Sequence, residues 1–164
     1  MRIRFGVLTV SDRSARGERA DLTGPALMKS IEGEGWQVTR QGIVADEQAV
    51  LRDTMASWAD SGEVDVLLTA GGTGFAPRDV TPEATRAIVE RDAPGLAEAM
   101  RLASSAKSKH AMLSRAAAGL RGSVLIINLP GSPKAAVENL QTVMPVLEHA
   151  VQLLRGDPEA EAGH

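Results

Sequence analysis

The sequence contains no cysteine. There is therefore no disulfide framework, no thiolate nucleophile and no zinc–thiolate centre. Aromatic residues make up only 2% of the 164 positions: Phe5, Phe75, Trp36 and Trp58. A core built from this chain has to be aliphatic, and the composition argues against a base-stacking platform for single-stranded nucleic acid. The formal net charge is -3, and the chain has neither a basic excess nor a basic stripe. Both would be expected of a nucleic-acid partner. No apolar run approaches the ~18 residues of a membrane-spanning helix. The first ten residues, M-R-I-R-F-G-V-L-T-V, hold too short an apolar run for a signal peptide, and no cleavage-like sequence follows. The expectation is a cytoplasmic protein with neither nucleic acid nor membrane as partner.

What is present is a globular composition, 43% hydrophobic and 24% charged, on a chain long enough for one domain with a sizeable core. Four segments read as buried strands: 3–10 (I-R-F-G-V-L-T-V), 36–43 (W-Q-V-T-R-Q-G-I), 64–70 (V-D-V-L-L-T-A) and 123–129 (S-V-L-I-I-N-L). The last two are nearly continuous apolar runs, as in strands covered on both faces. Helical patterns lie between them, over 23–33, 46–60, 81–91, 94–106 and 133–154. Asp46 and Thr81 stand at N-cap positions, Pro82 opens a first turn, and Pro145 is expected to interrupt the last helix. The alternation predicts a three-layer α/β/α domain with a mostly parallel sheet over residues 1–155. Residues 156–164 (G-D-P-E-A-E-A-G-H) read as a frayed acidic tail.

In such folds, ligands bind beyond the carboxyl ends of the strands. Every strand here is followed there by residues suited to phosphate or metal chemistry. These are Ser11-Asp12-Arg13, then Ala45-Asp46-Glu47, then Gly71-Gly72-Thr73-Gly74 with Arg78-Asp79, and finally Pro130-Gly131-Ser132-Pro133-Lys134. Glycines let backbone amides approach an anion closely. The same glycines also serve a tight strand-to-helix connection. The loop is neither a dinucleotide fingerprint, since the third glycine is missing, nor a Walker A loop, since no Gly-Lys-Ser/Thr occurs. Asp46 and Asp79 could share a Mg²⁺ with phosphate oxygens. Asp46 could equally be a helix cap, and Asp12 a turn residue. Arg78 and Lys134 could offset phosphate charge or simply be solvated surface. Ser114 lacks His–Asp partners and suits a ligand hydroxyl contact better than a nucleophile. His110 and His149 have no metal-ligand spacing.

Taken together, the segments T-V-S-D-R (9–13), D-L-T-G-P-A-L (21–27), A-D-E (45–47), G-G-T-G-F-A-P-R-D-V-T-P-E-A-T (71–85), P-G-L (94–96), A-M-L-S-R-A-A-A-G-L-R-G (111–122) and N-L-P-G-S-P-K-A (128–135) resemble the molybdopterin adenylyltransferase family of molybdenum-cofactor biosynthesis. This family includes MogA/MoaB-type proteins and the gephyrin G domain, and the likeness covers nearly the whole chain. The resemblance implies a molybdopterin-binding-domain fold and a homotrimer. It also implies transfer of AMP from Mg²⁺-ATP to the terminal phosphate of molybdopterin, with pyrophosphate released and the product passed to a molybdate-inserting protein. By the same resemblance, Asp46 and Asp79 are the essential acidic pair and the Mg²⁺ ligands. Gly71, Gly72, Thr73 and Gly74 form the phosphate loop, and Ser114 is the pterin contact. Ser11, Asp12, Asn128, Pro130, Gly131, Ser132 and Lys134 complete the substrate-binding set. Many members carry proline where this chain has Ala45. The competing readings are a pterin-binding protein without transfer, a scaffold, and a generic nucleotide-binding domain, the last weakened by the missing fingerprints.

Overall fold

Alternate residues of the central strands enter different cores, and both sides are apolar. In β1 (Arg4–Val10), Phe5 and Val7 face one core while Leu8 and Val10 face the other. β3 (Val66–Ala70) sends Val66, Leu68 and Ala70 to the first and Leu67 to the second. β6 (Val124–Leu129) splits Leu125, Ile127 and Leu129 from Val124 and Ile126 in the same way. Strands apolar on both faces need helices on both faces. On the first lie α2 (Thr23–Gly33), α5 (Pro94–Ser105) and α6 (Pro133–Leu154). On the second lie α3 (Gln48–Asp60) and α4 (Thr81–Arg86). α3 buries Leu51, Met55 and Ala59, one residue per turn.

The computed structural model describes residues 1–163. Its six strands run in the order β2-β1-β3-β6-β5-β4, with β2 at Gln37–Val44, β4 at Arg91–Asp92 and β5 at Ala118–Arg121. β2, β1, β3 and β6 are mutually parallel, whereas β5 and β4 pair antiparallel. The three-layer, mostly parallel arrangement expected from the sequence is the one observed. Of the four aromatic residues, Phe5 and Trp36 stack in the core with centroids 5.4 Å apart.

Several local expectations are corrected. β4 and β5 are additions to the four strands expected. α4 stops at Arg86, five residues early, because the chain must turn into β4. The long last helix is not interrupted. Pro145 is exposed, while Leu140, Val143, Leu147 and Val151 form an unbroken buried stripe across it. A proline inside a helix costs ~3 kcal/mol, and each large aliphatic side chain buried returns ~1.5–3 kcal/mol. The stripe therefore outweighs the break. The segment expected to fray instead forms α7 (Pro158–Ala162), capped by Asp157 and anchored by buried Ala160. His164, the end of that expected tail, lies outside the described residues. Two short pieces complete the fold: α1 (Asp12–Ala15) and a 3₁₀ turn at Lys109–Leu113.

Candidate active site

β1 and β3 are neighbours, but the chain leaves β1 for α2 on one face and leaves β3 for α4 on the other. Their exit loops part at the carboxyl edge, and a cavity of about 390 Å³ opens between them. Ser11, Asp46, Gly71, Gly72, Asp79, Gly131 and Ser132 all line it. A second cavity of about 310 Å³ lies beside it, lined by Thr73, Gly74, Ser114 and Pro130. The glycine loop thus contributes to both cavities, two residues to each.

The loop's hydrogen bonds have a marked polarity. All four carbonyls are taken. Gly71 O accepts from Thr81 Oγ1 at 2.9 Å and Gly72 O from Thr81 N at 3.1 Å. Thr73 O accepts from Arg115 N and Gly74 O from Arg115 Nε, each at 2.8 Å. By contrast, the amides of Gly72, Thr73 and Gly74 donate to no protein acceptor among the described residues. Gly71 and Gly72 hold φ of +114° and +67°, values that glycine adopts without strain. Thr81 is therefore no helix cap: α4 begins after Val80, and the Thr81 hydroxyl locks the loop instead.

Both expected carboxylates abut the loop. A Cβ built on Gly72 would lie 2.9 Å from Asp46 Oδ1, and one built on Gly74 would lie 2.9 Å from Asp79 Oδ2. Asp46 does not cap α3, which starts at Gln48 after Glu47. It exchanges hydrogen bonds with Asp12 instead: Asp12 N donates to Asp46 Oδ2 at 3.1 Å, and Asp46 N to Asp12 Oδ1 at 3.0 Å. This reciprocal pair fixes the turn at Asp46 against the start of α1. Asp12 is the first residue of α1, whose cap is Ser11, with Oγ accepting from Ser14 N at 3.2 Å. Burial pushes the Asp46 carboxyl above its ordinary range, and the nearby charges of Asp12 and Asp79 push the same way. The bond from Asp12 to Asp46 and the Arg78 guanidinium oppose them. Hydrogen bonds from Arg78 hold Asp12 below the usual carboxylate range.

This donor set fits Mg²⁺. Two like-charged carboxylates converge on an open cavity, and no group of three or more His, Cys, Asp or Glu with metal-ligand spacing occurs among the described residues. Mg²⁺ needs no such set, because it keeps waters and takes phosphate oxygens.

Three residues expected to bind substrate line neither cavity, and the first is Asp12, whose carboxylate is taken by Asp46 N and Arg78. Asn128 is fully buried: Nδ2 donates to Thr69 Oγ1 and Thr85 Oγ1, each at 2.9 Å, and Oδ1 accepts from Ala117 N at 3.1 Å. It ties β6 to β3, α4 and the start of β5, and lines neither cavity. Lys134 is exposed on the first turn of α6 and lines neither cavity. The important residue overlooked is Arg115. Besides holding Thr73 and Gly74, its guanidinium donates to Asp79 O at 2.8 Å and pairs with Glu83. It stands next to Ser114 in the quoted A-M-L-S-R segment, but nothing in that segment shows a partner some forty residues earlier. Arg101 holds the same stretch from α5, donating to Ala116 O at 2.8 Å.

Comparisons with known proteins identify the family. A family model described as "Probable molybdopterin binding domain" matches residues 6–149. A molybdopterin adenylyltransferase of Helicobacter pylori (strain J99) is 39% identical over 157 residues, covering 94% of this chain and 89% of its own length. The molybdenum cofactor synthesis protein cinnamon of Drosophila melanogaster is 45% identical over 94% of this chain, which spans only 26% of that longer protein. The crystal structure of the molybdopterin biosynthesis enzyme MoaB from Thermus thermophilus superposes with a TM-score of 0.89 at 50% identity, covering 95% of this chain and 98% of that one. No helix among the described residues is long and apolar enough to cross a membrane. The match over residues 6–149, joined to a relative covered over nearly its full length, means that this chain belongs to the molybdopterin-binding-domain family of molybdenum-cofactor biosynthesis.

Proposed function

We propose that the protein is a molybdopterin adenylyltransferase. One observation carries the reading: a loop whose carbonyls are all bound inward and whose three free amides lie between two cavities, with two carboxylates against it. Free amides at glycines make an anion cradle. Two adjoining cavities suit two substrates, each presenting a phosphate to the same loop.

The terminal phosphate oxygen of molybdopterin bonds to the α-phosphorus of ATP. The bond from that phosphorus to the bridging oxygen breaks, and pyrophosphate leaves with the electron pair. The nucleophile is already anionic, so no side chain has to take a proton. Catalysis is then positioning and charge stabilisation. Gly72, Thr73 and Gly74 amides donate to phosphate oxygens. Ser114 and Thr73 orient the pterin side from the smaller cavity. Ser11, Gly131 and Ser132 line the nucleotide side, where the N-terminus of the 22-residue α6 favours negative charge. Asp12 holds Asp46 in place. Asp46 and Asp79 would hold Mg²⁺, which supplies a counter-charge to the triphosphate. The assembly is a homotrimer in the cytoplasm, and the product goes to a molybdate-inserting protein.

The test is a single-turnover reaction with molybdopterin and α-labelled ATP, with and without Mg²⁺. Label should appear on the pterin only with Mg²⁺, and Asp79→Ala should abolish transfer while pterin binding and folding persist. Pterin binding without transfer by the unaltered protein would reduce it to a binding protein.

A further inference from the structure

Arg78 holds an unusual position. Its guanidinium grips both oxygens of Asp12, Nε to Oδ2 at 3.1 Å and Nη2 to Oδ1 at 3.0 Å. The same Nη2 reaches Glu47 Oε1 at 2.9 Å. Those three residues come from the loops after β3, β1 and β2, so one side chain laces three loops at the carboxyl edge. Asp12 is locked to Asp46, Glu47 follows Asp46, and Asp79 follows Arg78. Asp12 and Asp79 both act electrostatically on Asp46, and Arg78 is bonded to Asp12 and Glu47. Arg16 is the other cation acting on Asp12, and its own bonded partner is Glu18.

We propose that Arg78 is the resident counter-ion of this site, bound to Asp12 and Glu47 in the free protein and transferred to the nucleotide phosphates when a divalent cation engages the carboxylates. The inference rests on the metal and nucleotide assignments above and gives Arg78 a role within them. Two observations and one electrostatic argument carry it. The ion pair is exposed, with 56% of the Arg78 side chain open to solvent, so it is screened and exchanges readily. The turn bearing Arg78 is held by Asp79 itself, whose Oδ2 accepts from Ala76 N at 3.0 Å and whose N donates to Ala76 O at 2.9 Å. A cation on Asp79 draws on that same carboxylate and so acts on the turn directly. Finally, a cation near Asp46 supplies the counter-charge that Arg78 supplies in its absence, and an arriving triphosphate offers the planar guanidinium a better bidentate acceptor than a carboxylate already shared.

The experiment uses the whole chain and two variants, Arg78→Met and Arg78→Lys, with MgCl₂ titrated calorimetrically into nucleotide-free protein. Arg78→Met should bind Mg²⁺ about fivefold more tightly than the unaltered protein, the order expected for removing one unit charge near a divalent ion in solvent-like dielectric. At saturating Mg²⁺, a non-reacting α,β-methylene ATP should bind Arg78→Met about tenfold more weakly, as for loss of one charge-assisted phosphate contact. Arg78→Lys keeps the charge and loses the fork. It should restore the Mg²⁺ affinity but recover only part of the nucleotide affinity. Unchanged or weaker Mg²⁺ binding by Arg78→Met overturns the counter-ion role, even where Mg²⁺-nucleotide binds normally. Unchanged nucleotide binding overturns the transfer. If the unaltered protein binds no Mg²⁺ with or without nucleotide, the metal assignment itself falls, and the proposal with it.

Discussion

Replacing Gly71 by alanine tests whether the glycine loop is fixed by backbone geometry. Gly71 has φ of +114°, and a Cβ there would sit 2.3 Å from the carbonyl oxygen of Val10. That oxygen belongs to the last residue of β1, so it cannot rotate away as a side chain would. Relief requires β1 and β3 to separate where Thr9 pairs with Ala70, at the floor of the cavity. The strained φ costs about 1–3 kcal/mol and the forced overlap about 1–3 kcal/mol. The stiffer unfolded chain returns about 0.4–1 kcal/mol. The net expectation is a loss of about 2–5 kcal/mol, a large share of the 5–15 kcal/mol typical of a domain. Gly17 is the control. Its φ is +73°, but nothing lies within 4 Å of its Cβ position. Gly17→Ala should therefore cost about 1 kcal/mol, the left-handed penalty less the unfolded-state gain. Urea unfolding followed by Trp36 and Trp58 fluorescence measures both. A loss below about 1 kcal/mol for Gly71→Ala, or equal losses for the two variants, would refute the reasoning.

Asn128→Ala should destabilise the protein by about 2–4 kcal/mol, because the Ala117 amide and the Thr69 and Thr85 hydroxyls each lose a buried partner. Nucleotide affinity of the folded fraction should be unaltered, and a selective loss of affinity in calorimetry would return Asn128 to the substrate-binding set. Asp65 sets an acid limit. Burial pushes its carboxyl up, but hydrogen bonds from Arg4 and Arg155 outweigh this and leave it below the ordinary value. The unfolded chain then takes up the proton first, so this contribution is complete above about pH 4 and disappears as pH falls through the lower folded value. Urea midpoints measured from pH 6 to pH 2 should drop below pH 4, and Asp65→Asn should flatten that part of the curve.

The parts of this fold that could be read from the chain are those where a local pattern has one tertiary outcome. V-L-L-T-A and V-L-I-I-N-L are apolar on both parities, which only a covered central strand satisfies. β4 and β5 escaped because two and four residues carry no such pattern; they pair with one another and with β6 only once the sheet exists. Asp46 and Thr81 show the other limit. Each stands before a helix and has the chemistry of a cap, so the local reading is a cap. The residues that take them instead, Asp12 and Gly71, lie 34 and 10 positions away. Asn128 differs from its sequence reading for a related reason. It adjoins the Pro130–Ser132 loop in sequence, but strand parity puts it on the side of Ile126, where Thr69 and Thr85 wait. The parity was legible and the partners were not.

The loop's chemistry depends on elements on both sides of it. Leu129 O at the end of β6 takes the Gly71 amide, Thr81 at the start of α4 takes two carbonyls, and Arg115 before β5 takes the other two. Once every carbonyl is engaged, peptide planarity points each following amide away from the partner of the carbonyl before it. The anion cradle proposed for this loop would thus be a consequence of where the carbonyls are tied. None of the tying residues needs to touch a phosphate. Arg115 illustrates the point: it holds Thr73 and Gly74 at the seam of the two cavities, also reaches Asp79 O, and follows Ser114 directly. One side chain therefore fixes the glycine loop, the backbone at Asp79 and the segment carrying Ser114 relative to one another. For a transfer between two bound phosphates that relative placement is the main quantity the protein has to control.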